Sequence, residues 1–434
     1  MRQIAGLTVI AGLVWAGGVA AQDTTATGAP RITLEQAVER ALRVSPAIAQ
    51  GEGSVRTAES AERSAFGSFL PSLSLTSGAS LSSTERFNPQ TNTTVTGSND
   101  SYSAGLSSSV ALFTAGRRGA ERRRTAALTE SAEAGLIEQR FAVALAAKQT
   151  FFAVLRAQEL VAVNESRTKR AEESLDAAER RIRVGSATQS DRLRSQLELN
   201  QAKQALLRAR ADLRNAEFEL GRQVGADGPV SAEPLPSTAP EPLQLGDEQL
   251  EQLVLSRSPQ VVTAEASLRA SEAGIRVART QYFPTVNLGG GYDWFNQNAQ
   301  FDGGRLSWST RLSLNYPLFN GFQREDAVER ARVNATTARY QMADTRRAAR
   351  AELQAALAAL RLAEEQIALA EEAVQVATED LRVQQERYRV GVATILEQLT
   401  SQTALVEAEN DLVAARYDYQ IARAQLEALA GREL

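Results

Sequence analysis

The chain has 434 residues, with 48 Lys+Arg against 52 Asp+Glu, and contains neither His nor Cys. These absences exclude thiolate and imidazole metal sites, haem ligation, disulfides and Ser-His-Asp or Cys-His catalysis, so no cofactor, metal centre or enzyme is expected. A mean hydropathy of -0.27, with no apolar run of about 18 residues after the N-terminus, argues against membrane helices but not against a β-barrel, whose strands alternate.

Residues 1–21 read as a cleavable secretory signal: Arg2 is the basic start, Ile4 to Gly18 the apolar stretch, and Val19-Ala20-Ala21 the small-residue site before Gln22. With no cysteine behind it, an exported chain without a lipid anchor on cysteine is expected. Acids and bases are interspersed along the rest, so no nucleic-acid face is predicted.

An internal repeat organises the remainder of the chain. Leu34 to Pro71, with Ser45-Pro46 and Phe69-Leu70-Pro71, matches Asp247 to Pro284, with Ser258-Pro259 and Tyr282-Phe283-Pro284, at an offset of 213. Further on, Arg181 to Thr188 matches Arg387 to Thr394 at an offset of 206. Two units, 32–227 and 247–431, are thus joined by a Pro-rich linker, 228–246. The missing seven residues fall in the polar stretch Phe87 to Asp100, expected to be an external loop.

Each unit is predicted to open with a helix, Leu34 to Phe66 or Glu248 to Tyr282, with the Ser-Pro step near its first third. Two strands follow. Leu73, Leu75, Ala79 and Leu81, then Tyr102, Ala104, Leu106, Val110 and Leu112, alternate with small polar residues. So do Val286, Leu288, Tyr292 and Trp294, then Leu306, Trp308, Leu312 and Leu314. Strands of about ten residues with one apolar face suit a membrane barrel, although a half-buried soluble sheet also alternates. Next come proline-free segments rich in Ala, Arg, Glu and Leu, Gly116 to Arg183 and Gly321 to Arg389. As helices they would reach roughly 100 Å. Val-Gly turns and return helices, Gln189 to Arg222 and Ile395 to Leu429, complete two long hairpins. Four strands cannot close a barrel, and an open edge in lipid leaves backbone groups without partners. Three copies, with twelve strands, make the smallest pore.

In this order and duplication, with Arg-Val-Gly at 183–185 and 389–391 and Ala415-Arg416-Tyr417-Asp418-Tyr419 near the end, the chain resembles the TolC family of outer-membrane efflux and secretion channels over about Ile32 to Gly431. The resemblance implies an α+β fold. Long coiled-coil hairpins form a periplasmic tube, the linker sits in an equatorial collar, and four strands per chain complete a homotrimeric twelve-stranded barrel in outer-membrane lipid. It implies a passive conduit opened by a periplasmic adaptor and energised by an inner-membrane pump or ABC transporter. Val184, Gly185, Ser186, Val390, Gly391 and Val392 would be the adaptor-docking tip, although both glycines also serve a left-handed helix end. Asp191, Tyr388, Glu397 and Thr400 would form the gate: Tyr388 and Asp191 match a tyrosine–aspartate link, and Glu397 a ring-forming acid. Ala393 and Thr400 depart from the pattern, standing where some members carry a linking Arg and a second ring aspartate.

Thr188 to Asp191 and Thr394 to Glu397 also read as capping boxes. Gly289-Gly290-Gly291 precedes no helix, so it is a bulge or thin strand rather than a phosphate loop. Arg311 lies on the polar strand face. The rival reading, a trimeric coiled-coil stalk or adhesin, predicts sustained heptads and one membrane segment rather than two duplicated hairpins.

Overall fold

The computed structural model describes residues 29–432 apart from 91, 99, 238, 241, 242, 244 and 301; the signal read at 1–21 lies outside them. The first half comprises β1 (Arg31–Ile32), α1 (Leu34–Val44), α2 (Pro46–Gly67), β2 (Ser72–Ser80), β3 (Ser83–Asn88), β4 (Thr93–Ser98), β5 (Ser101–Phe113), α3 (Arg117–Arg183) and α4 (Gln189–Gln223). The second comprises β6 (Ser231–Ala232), α5 (Asp247–Arg257), α6 (Pro259–Arg279), a 3-10 turn (Thr280–Tyr282), β7 (Thr285–Asn296), β8 (Arg305–Asn315), α7 (Gln323–Val390) and α8 (Ile395–Ala430).

Each opening helix is two helices. Ser45 and Ser258 adopt extended backbone, with ψ of 124° and 130°, because the following proline excludes an α conformation in its predecessor. Pro46 and Pro259 then start the next helix, where a missing N–H leaves no bond unmade. Helices α3 and α7 run unbroken for 67 and 68 residues, about 100 Å each. Ion pairs Arg339–Glu272, Arg346–Glu265, Arg350–Glu251 and Arg361–Asp247 tie one face of α7 to α6 and α5.

Apolar packing concentrates at mid-height. Leu250 and Val254 of α5, Leu353, Leu357 and Leu360 of α7, and Tyr419 and Leu426 of α8 form one cluster. Phe151, Phe152 and Leu155 of α3, Leu220 of α4, Val230, and Tyr417 of α8 form another. Chain entry and linker meet here, since β1 pairs in parallel with β6. A Cβ on Gly221 would lie 2.1 Å from the Gly228 carbonyl oxygen, so only glycine admits the linker's return.

Four strands form one antiparallel sheet in the order β2-β5-β7-β8, the two halves joining at β5–β7. The glycines 289–291 are a thin stretch of β7, paired on both sides; the register shift lies instead at Ala111/Phe113. A Cβ on Gly291 would stand 3.1 Å from the Leu106 carbonyl oxygen. Arg311 lies opposite Gly289. The stretch expected as a loop, 87–100, instead contributes to a second hairpin, β3–β4, turning near Asn92 at φ 53°. Its β-branched Thr93, Thr94, Val95 and Thr96 favour extended backbone, which outweighs the polarity of the surrounding stretch.

Candidate functional site

At the far end of the hairpins, the turns follow from helix-end chemistry. Helix α3 stops at Val184, and Gly185 at φ 74° lets the Ser186 amide return to the Arg181 carbonyl, 2.9 Å. Helix α7 stops likewise: Gly391 has φ 86°, and the Val392 amide bonds the Arg387 carbonyl at 2.9 Å. Both glycines therefore occupy left-handed C-caps. Val184, Val390 and Val392 are exposed, giving the tip a small apolar surface.

The expected capping roles diverge. Asp191 completes a reciprocal box, accepting from the Thr188 amide at 2.8 Å while its own amide donates to the Thr188 hydroxyl at 3.2 Å. Glu397 does not. Its amide donates to the Thr394 hydroxyl at 3.3 Å, but its carboxylate accepts from that hydroxyl rather than from an amide and lies 4.0 Å from Arg387. Glutamate is one methylene longer than aspartate, and its carboxylate reaches that hydroxyl and Arg387.

Tyr388 is 6% exposed, and its hydroxyl has no hydrogen-bond partner among the described residues. The tyrosine–aspartate link implied by the resemblance is thus not a hydrogen bond within this chain, because the Asp191 carboxylate is held in its cap. Arg181 engages Tyr388 instead. Its guanidinium stands 4.4 Å from the ring centroid, donates to the Tyr388 carbonyl, and reaches the Ser186 carbonyl at 3.1 Å. One side chain of α3 therefore ties the two turns together. Burial pushes the Tyr388 hydroxyl above the ordinary tyrosine range, Arg181 opposes that shift, and Asp191 adds to it. Thr400 is exposed, donating to the Leu396 carbonyl at 2.9 Å. Asp191, Tyr388 and Glu397 thus gather at the turns, while Thr400 lies one turn further along α8.

The opposite end of the molecule is a sheet with bare faces. Leu75 is 78% exposed and Trp308 72%, and Leu73, Leu306, Leu312 and Leu314 are similarly open. Among the described residues, β2 and β8 each have one neighbour in this sheet.

A third surface escaped the sequence reading. Leu362, Leu369, Val376, Val383 and Val390 are all exposed on α7. Their spacing of seven keeps them on one face. Within the chain α3 packs on α4 and α8, and α8 on α7, so α4 and α7 are the outer helices of the wall. Leu193, Leu197, Leu207 and Phe218 are exposed on α4. The signal in the sequence is a heptad of apolar residues within an otherwise polar helix. Heptads were the mark of the stalk reading, but here they accompany the duplicated strand hairpins.

The family described as Outer membrane efflux protein matches residues 37–226 and 250–432. Protein CyaE of Bordetella pertussis is 29% identical over 313 residues, 69% of this chain and 63% of its own length; the chain thus covers less than two thirds of that relative. Among solved structures, a membrane protein from Pseudomonas aeruginosa superposes with a TM-score of 0.80 at 22% identity, covering 93% of this chain and 91% of its own. The Campylobacter jejuni CmeC outer membrane channel does so with 0.80 at 18% identity, covering 92% and 85%.

Proposed function

The chain belongs to the outer membrane efflux protein family, and on that footing we propose that it is a passive export conduit. Three copies form a twelve-stranded barrel in the outer membrane and a helical tube through the periplasm. The observation that carries this reading is the four-stranded sheet whose two edge strands lack outer neighbours among the described residues and whose large apolar side chains are bare. Lipid accepts those side chains, but unpaired strand edges in lipid are costly, so β8 of one copy pairs with β2 of the next.

The tube supports the same closure. In adjacent copies the outer helices α4 and α7 meet, and both apolar rows run to the turn. Leu207 and Leu369 each stand about twenty residues, roughly 30 Å, from it. The segment 361–390 carries seven acids against four bases, whereas α4 carries seven bases against five acids. Opposite charge favours that pairing over like-with-like contacts.

At the tip, Val184, Gly185, Ser186, Val390, Gly391 and Val392 form the surface on which an adaptor docks. Asp191, Tyr388, Glu397 and Thr400 line the constriction that docking widens. An inner-membrane pump or ABC transporter supplies the energy, and the conduit itself performs no catalysis. CyaE and the CmeC channel support a place in an export system.

Two measurements test this. Native mass spectrometry in detergent should give three chains, and a stable monomer would overturn the closure. Because the chain has no cysteine, Leu207→Cys with Leu369→Cys should yield a ladder ending at three chains under oxidation, whereas each single variant should not.

A further inference from the structure

Just below the sheet, α6 and the first turns of α7 enclose a groove of about 640 Å³ lined by Arg279, Tyr282, Glu325, Asp326, Glu329 and Arg332. We propose that this groove binds the headgroup of a zwitterionic, ethanolamine-class phospholipid from the periplasmic leaflet of the outer membrane. The inference rests on the barrel lying in that membrane.

Position comes first. Tyr282 lies three residues before the start of β7, and Glu325 ten residues after the end of β8, so the groove sits where the chain passes from sheet to tube. Glu325, Glu329 and Arg332 share a helical face with Arg339, Arg346 and Arg350, the residues that bind α6 and α5. That face is the outer one, because α5 and the preceding linker lie against it, and three copies of them inside the tube would fill the lumen.

The chemistry is two-signed. Arg279 is exposed and makes no ion pair among the described residues, leaving its guanidinium available to a phosphate. Glu325, Asp326 and Glu329 stand opposite; each meets one arginine of α7, at 3.2, 2.6 and 3.3 Å, and keeps carboxylate lone pairs on which an ammonium can also be shared. A phosphoethanolamine group carries both partners, and its three N–H donors bond carboxylates as a quaternary ammonium cannot. Glycerol-type anionic headgroups offer the phosphate and neutral hydroxyl donors, but no cation to set against the three acids.

The repeat supplies an internal control. At the equivalent positions the first half has Phe66, Gly119, Ala120, Arg123 and Ala126, so this junction folds without the charged groove. It also has Gly116 where the second half has Phe322. Phe322 is held at φ 63° with its ring exposed against Phe319, centroids 5.5 Å apart. A bulky residue in a conformation suited to glycine signals a use for the ring. Phe283, Phe319 and Phe322 together present aromatic surface beside the groove, where acyl chains meet headgroups.

The test titrates the full chain, extracted from outer membranes in mild detergent, with phosphatidylethanolamine, phosphatidylglycerol and phosphatidylcholine of identical acyl chains. Native mass spectrometry counts the bound lipids. The ethanolamine lipid should be retained at up to one copy per chain, in preference to the other two. Arg279→Gln should lower retention by roughly fivefold to tenfold, as expected for a lost charge-assisted contact. Arg123→Gln, the first-half counterpart of Glu329, should leave it unchanged. Phe322→Gly should lower retention while holding or raising thermal stability, so lost binding is separated from lost folding. Equal binding of the three lipids, or an equal loss with Arg123→Gln, overturns the site. Failure of the chain to fractionate with the outer membrane would instead overturn the placement on which it rests.

Discussion

The collar and the tip are built from the same four long helices but held together differently. At mid-height the contacts are Leu353, Leu357, Leu426, Phe151, Phe152, Tyr417 and Tyr419, all buried. Toward the tip the local apolar cluster shrinks to Ala171, Leu199 and Ala202. Buried Ser174, Ser195, Gln398 and Gln402 each carry a side-chain atom without a hydrogen-bond partner among the described residues. Burial stabilises by roughly 25 cal/mol per Å² of apolar surface, so alanine and serine contribute little. Unbonded polar atoms also detract. The collar is therefore the fixed part of the tube, and the tip is the part whose helices can part at modest cost.

The largest effects should come from the collar. Leu353→Ala or Leu426→Ala should each lower stability by about 2–5 kcal/mol, measured as loss of the oligomer in unheated gels at lower temperature. Comparable truncations at Leu199 should cost less, and equal costs would erase the contrast. The collar also contains the Lys148–Glu427 pair, 2.5 Å apart and mostly buried, with Arg423 at 3.8 Å from the same carboxylate. Glu427→Gln leaves the mostly buried Lys148 ammonium without its carboxylate and should cost up to about 3–5 kcal/mol, checked by thermal unfolding. Glu427→Gln with Lys148→Met should recover part of it.

A smaller effect with a larger functional signature is expected at Arg181. Arg181→Gln removes the stacking on Tyr388 and the charged bond to its carbonyl, together worth about 1–3 kcal/mol locally. Single-channel recordings should then show higher conductance with the collar's melting unchanged. Arg387→Gln, the equivalent position in the second half, should do little, because its nearest carboxylate, Glu397, is 4.0 Å away. Equal conductance changes would show that Arg181 has no special hold on the tip.

Alkaline pH should separate the regions by degree. Tyr417 donates to Glu159 at 2.6 Å, and burial, followed by that bond, raises its hydroxyl far above the ordinary range. Tyr388 is raised as well. Above about pH 10 the unfolded chain releases tyrosine protons that the folded chain retains, so stability is full below that pH and declines above it. Thermal unfolding against pH should show this slope, and Tyr417→Phe should remove more of it than Tyr388→Phe. The smallest change should come from charge alone. Asp191→Asn and Glu397→Gln should reduce cation preference in bilayer recordings, with Asp191→Asn the more destabilising, by about 0.3–1 kcal/mol, because its charge sits on the Thr188 amide at the start of α4.

Much of this protein was determined locally and was legible in the chain. Proline excludes helix from the residue before it, so Ser45 and Ser258 ended helices wherever they came to lie. Gly185 and Gly391 turned because only glycine adopts that backbone freely, and strand alternation marked a two-faced sheet. Tertiary structure decided which of two identical residues acts. Arg181 and Arg387 occupy the same place in the repeat, yet Arg181 reaches the other hairpin while Arg387 stays beside its own return helix. The Tyr388 ring lies beside one and not the other. Local rules carry no information about that choice, since a long flexible side chain takes whichever partner the packing of four helices brings within reach. The same holds for Asp191 and Glu397, equivalent in the repeat, whose difference of one methylene gives one a backbone amide and the other a hydroxyl as its partner.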